Sequence, residues 1–133
     1  MTKEEHLFAR FKQIGYEVKA GAVAIHLLSQ SLKQNESVLY LLEGSIQNSL
    51  GYLIATDKRV FYAGVDKFKK PVLEHLNYED LYEIRETEDE LIPSIEITIM
   101  AKNQNQITIK GCEAEDGVKF VKLLRYLSKG AEA

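Results

Sequence analysis

The chain is poor in the residues that most often carry chemistry. Its 133 residues include one cysteine, two prolines, three histidines and no tryptophan. A single cysteine allows neither a disulfide framework nor a thiolate metal cluster. The histidines, His6, His26 and His75, fall on separate segments without the spacing that holds a metal. The glycines are scattered among turns, and no Walker-type phosphate loop occurs. Positive charge is not in surplus: 17 Lys and Arg stand against 20 Asp and Glu, a net charge of −3. That balance argues against a general nucleic-acid binder, which needs cations to displace phosphate counterions. No apolar run approaches the ~20 residues needed to cross a bilayer. The N-terminal stretch MTKEEHLFARFKQ carries charges where a signal peptide needs an apolar core. The expectation is a cytoplasmic protein with no catalytic residues, no cofactor and no bound metal.

What is present is a globular composition, 45% hydrophobic and 28% charged. A chain of this length buries roughly two-thirds of the surface it exposes when unfolded. Leu7, Phe8, Phe11 and Ile14 share one helical face, with Glu4 and Glu5 at the start and Gly15 as a stop. A second helix is predicted over about residues 18–33, with Gly21, Ile25, Leu28 and Leu32 on one side. Asn35-Glu36-Ser37 then breaks the pattern.

From Ser37 the period becomes two. SVLYLLEGSI (37–46), GYLIA, VFYAGV, PVLEHL (71–76), LYEIRE (81–86), IPSIEITIM (92–100) and NQITIKG (105–111) read as seven short strands. ETEDE (86–90) lacks the ligand alternation of a calcium loop and reads as a solvated hairpin loop. An amphipathic helix over about 113–129 follows, with Phe120, Val121, Leu124 and Leu127 inward. The shift in composition divides the chain into a helical extension, 1–34, and a strand-rich domain, 35–133. The expected inner core is Leu53, Val60, Tyr62, Val72, Ile95, Ile97, Ile107, Phe120, Leu124 and Leu127. Cys112 reads as a buried, inert thiol.

Several of these stretches resemble a known family. ESVLYLLEGSI, GYLIATDKRVFYAG and ITIKG before the last helix are similar to the bacterial pleckstrin-homology-like family, particularly its YokE-like branch. Its hairpin pattern, Gly-x-Leu-x-x-Thr-Asp-Lys-Arg-hydrophobic, is met by Gly51, Leu53, Thr56, Asp57, Lys58, Arg59 and Val60. The resemblance spans about residues 36–128. With the strand count it implies an α+β fold: a PH-like barrel of about seven antiparallel strands capped by the C-terminal amphipathic helix, with two N-terminal helices before it. It also implies a non-catalytic binding module whose partner is a protein or another copy of itself.

Two basic stretches are candidate contacts. Thr56, Asp57, Lys58 and Arg59 form a hairpin tip whose residues each have a structural use. Asp57 and Thr56 accept turn amides, and Arg59 pairs with Asp57 or a neighbouring carboxylate. Lys67, Phe68, Lys69 and Lys70 place an aromatic among cations, the composition of an anionic membrane contact and the alternative reading of function. The tip and this loop are expected at opposite ends of the third strand. Many PH domains grip phosphoinositides with cations in the first hairpin loop. The equivalent EGSIQNSLG (43–51) has Glu43 and neither Lys nor Arg, so no specific phosphoinositide site is expected.

Overall fold

A computed structural model describes residues 3–13, 22–88 and 94–132. The elements are α1 (Lys3–Gln13), α2 (Ala22–Ser31), β1 (Val38–Ile46), β2 (Ser49–Thr56), β3 (Arg59–Asp66), β4 (Pro71–Asn77), β5 (Leu81–Glu88), β6 (Ser94–Ala101), β7 (Gln106–Glu113) and α3 (Ala114–Glu132). Seven antiparallel strands form one curled sheet in the order β4-β3-β2-β1-β7-β6-β5, with β4 and β5 at its edges. The helix α3 closes the curl. The seven strands and the closing helix match the expected architecture.

Burial on the concave side explains the curl. Leu42, Leu53, Ala55, Val60, Tyr62, Ile95, Ile97, Ile99, Ile107 and Ile109 converge on Phe120, Val121 and Leu124 of α3. All ten predicted core residues lie here, Val72 and Leu127 partly buried at the rim. Val72 belongs to the edge strand and Leu127 to the far part of the helix, where fewer neighbours cover them. Two glycines permit close approach. Gly51 faces Gly64 across β2 and β3, where a β-carbon would strike the Ala63 carbonyl. Gly117 lets α3 sit directly on Ile95.

A second core lies on the convex side. Val38, Leu41, Tyr52, Ile54, Phe61 and Ala63 are covered by Leu7 and Phe11 of α1 and Leu28 of α2. Phe11 and Tyr52 pack with ring centroids 6.4 Å apart. The sheet is therefore two-sided over β1–β3, and β2 and β3 read as nearly continuous apolar runs for that reason.

Several boundaries differ from the sequence expectation. The second helix ends at Ser31 instead of 33, and residues 18–21, with Ile14 and Gly15, lie outside the described residues. The strand β5 continues through Glu88, with Glu86, Thr87 and Glu88 paired to Ile97, Glu96 and Ile95. The first part of ETEDE is therefore strand instead of loop, because β6 offers it a partner along its length. Residues 89 and 90 of that stretch, and 92 and 93 of the predicted sixth strand, lie outside the described residues.

Candidate functional site

The hairpin tip joining β2 to β3 is knitted to the chain that precedes β1. The Thr56 hydroxyl donates to Glu36 Oε2 at 2.7 Å and accepts from the Lys58 and Arg59 amides, each at 3.1 Å. Asp57 Oδ1 accepts the Ser37 amide at 2.9 Å, and the Asp57 amide returns a bond to the Ser37 carbonyl at 3.0 Å. Arg59 pairs with Glu36, not Asp57: its Nε lies 3.0 Å from Oε2 and its Nη2 3.2 Å from Oε1. The same guanidinium bonds the Ser31 carbonyl at the end of α2 and stacks 4.6 Å from the Phe61 ring centroid. The Tyr78 hydroxyl closes the node from below, donating to the Thr56 carbonyl at 2.6 Å.

Electrostatics follow from this geometry. Burial pushes the Glu36 carboxyl up. Bonds from Arg59, the Lys33 amide and Thr56 outweigh that and hold it below the usual carboxylate value. Burial raises the Tyr78 hydroxyl, and the nearby Glu36 charge adds to the effect. Arg59 is thus spent on tying α2, the α2–β1 connection and the hairpin together. Lys58 alone of the motif's cations is exposed.

The basic loop lies at the other end of β3. Asp66 builds it: its Oδ1 accepts the Phe68 amide at 2.8 Å and the Lys70 amide at 2.9 Å. Its backbone also bonds Lys69 and Lys70, and Lys69 takes a left-handed φ of 63°. Phe68 is held 69% exposed, with the Lys67 ammonium 5.2 Å from its ring centroid. A strand of eight residues separates this loop from the tip, about 25 Å at the usual rise. The structure brings Lys67, Phe68, Lys69 and Lys70 together and keeps Lys58 and Arg59 apart from them.

Two exposed side chains near this loop have no sequence signal as surface residues. Leu50 is 71% and Leu73 52% exposed on the convex face, where Leu50 pairs across to Val65 and Leu73 to Ala63. Leu50 lies in a strand that looks apolar almost throughout and Leu73 at the edge strand β4, so only the extent of the helical cover reveals them. Glu36 was also missed, since no local pattern links it to a partner 23 residues away.

The sheet edges differ in their freedom. On β5, Arg125 reaches from α3 to bond the Ile84 carbonyl at 3.1 Å and approaches Glu86 at 3.9 Å. Among the described residues no side chain bonds the β4 backbone. A cavity of about 260 Å³ beside β4 is lined by Ser31, Phe61, Leu73 and His75, among others.

Chemistry-bearing residues are dispersed. Cys112 lies wholly inside the barrel core, and burial pushes its thiol up to about 12. His6 stands on α1, His26 on α2 and His75 on β4. Among the described residues no three of His, Cys, Asp and Glu are placed to share a metal ion. Nor, among the described residues, is any helix long and apolar enough to cross a membrane.

Solved structures of low identity share this fold. A C-terminal domain of an unknown protein from Leishmania infantum aligns with TM-score 0.57 at 12% identity, covering 93% of this chain and 96% of that one. A pleckstrin homology domain from Shewanella amazonensis aligns with TM-score 0.56 at 17% identity over 83% and 98%. A pleckstrin-homology-domain protein from Shewanella loihica gives TM-score 0.54 at 19% identity over 84% and 99%. No curated protein sequence matches the chain. The sequence profile of the bacterial PH domain matches residues 32–125. That span runs from the end of α2, through the Glu36–Arg59 node and all seven strands, into α3, and on it the chain belongs to the bacterial PH domain family.

Proposed function

We propose that this chain is a non-catalytic cytoplasmic module that binds a protein, including another copy of itself, by strand addition at β4. The observation that carries this reading is the contrast between the sheet edges. An edge strand offers a row of backbone donors and acceptors to an extended partner. On β5 Arg125 already occupies the Ile84 carbonyl, whereas β4 stands open beside exposed Leu73. Residues 1–34 serve in this reading as a helical extension of the domain formed by 35–133. No phosphoinositide headgroup and no nucleic acid is among its ligands.

Site-specific photo-crosslinking in cells tests the edge assignment. A photoreactive residue at Leu73 is expected to capture a protein, and one at Glu83 on β5 is not. Capture from Glu83 alone would move the interface to the other edge. Capture from neither would remove strand addition.

A second reading is favoured by the Asp66-built turn, which presents Phe68 among three lysines. Such a loop suits peripheral binding to an anionic membrane, at ~1 kcal/mol per cation near the surface. Vesicle sedimentation that falls with salt and with Lys67/Lys69/Lys70→Glu would support it. No binding at low salt would sink it.

A further inference from the structure

An open groove of about 900 Å³ runs between α1 and the chain leading from α2 into β1. Its floor is apolar, made by Leu7 and Val38 with Leu32 beside them. Three nitrogenous side chains, His6, Arg10 and Lys33, stand around it. Arg10 is oriented by its Nε bond to the Val38 carbonyl at 2.7 Å and by Nη1 on Gln13 at 3.3 Å. Among the described residues none of the three is in an ion pair. The one carboxylate in the lining among the described residues, Glu36, is directed away: its oxygens take Arg59, Thr56 and the Lys33 amide. A protein of net charge −3 thus carries a groove lined, among the described residues, by two cations, Arg10 and Lys33, with Glu36 and the neighbouring Asp57 each bound to other partners.

We propose that this groove docks an acidic segment of a partner protein bearing one large apolar side chain. The carboxylates would meet Arg10, Lys33 and His6, with Arg10 suited to bidentate pairing. The apolar side chain would seat on Leu7, Leu32 and Val38. The site is open along its length, which suits a chain passing through it more than an enclosed small molecule. It is separate from the β4 edge, so failure of either leaves the other standing.

The probe is a fluorescent peptide of alternating glutamate and leucine, read by anisotropy against the full chain. Its controls are the glutamine–leucine and lysine–leucine analogues. The glutamate peptide is expected to bind at least about tenfold more tightly than either control, with affinity falling as salt rises. Lys33→Glu, whose side chain is exposed and tied to no described partner, should weaken it several-fold while thermal unfolding stays unchanged. Adding Arg10→Glu should abolish binding. Equal binding by the neutral peptide, no binding of the glutamate peptide, or no response to Lys33→Glu would each overturn the proposal. So would anionic phosphatidylglycerol vesicles that bind in a Lys33-dependent way while the peptide does not, because the groove would then serve a lipid surface.

Discussion

The two halves of the curled sheet share one inner core and differ on their outer faces. Over β1–β3 the convex side carries Leu41, Tyr52, Ile54 and Phe61 beneath α1 and α2. Over β6 and β7 the same side carries Glu96, Thr98, Thr108 and Lys110, joined by a Thr98–Thr108 hydroxyl contact at 3.3 Å and a Lys110–Glu96 pair at 3.9 Å. One half is a filling between two layers, and the other is a wall with water on one side. The difference shows that a continuous apolar strand marks a second covering layer, whereas strict alternation marks a bare face.

Substitutions can break or sharpen this comparison. Leu124→Asp strikes the core that both halves share and buries an unpaired carboxylate. It should leave no cooperative thermal transition by circular dichroism; a folded variant would mean that α3 does not close the barrel. Phe61→Ala removes the outer filling of the first half alone. It should cost ~3–5 kcal/mol in urea unfolding, and a cost below 1 kcal/mol, taken as about the level of a surface change, would mean that the helices cover the sheet only loosely.

Glu36→Gln tests the node that fastens the cover. It strands Arg59, 8% exposed, beside a neutral partner, and should cost about 3 kcal/mol at neutral pH. The pH dependence has a fixed sign. The folded pKa of Glu36 lies below its ordinary 4.5, so its contribution is complete above that value and fades as pH falls through the lowered one. Urea midpoints between pH 7 and 3 should therefore converge for wild type and Glu36→Gln at the acid end. A constant gap would assign the stabilisation to packing. Thr98→Ala, on the bare face of the second half, should move stability by no more than ~0.5 kcal/mol. A loss as large as that of Phe61→Ala would erase the distinction between the halves.

The strands and the closing helix were legible in the sequence because both signals are local. Short runs of strand-favouring residues between turn residues, alternating in β5 to β7, set the seven strands, and the apolar stripe Phe120–Leu124–Leu127 set α3. Eight of the ten anticipated core residues are fully buried, and Val72 and Leu127 fall short only through their place at the rim. The seat of the N-terminal helices was not read, although GYLIA and VFYAGV carried its trace in having no polar face. The partner of Arg59 was not legible, because Glu36 sits in a stretch that reads only as a break between elements. The basic loop was legible as a composition. Its rigid presentation through Asp66 was not, since one carboxylate bonding two amides is a matter of geometry.

The strand order has a consequence for how the domain forms. Every adjacency joins consecutive strands except β1 with β7, where Ser45 meets Lys110 across 65 residues of chain. The hairpins can zip independently, each closing a short loop, while that seam must close a long one at a greater entropic cost. The pace of folding is then set at the seam. Substitutions along it should slow folding in stopped-flow refolding, whereas those at the outer helices should mainly hasten unfolding.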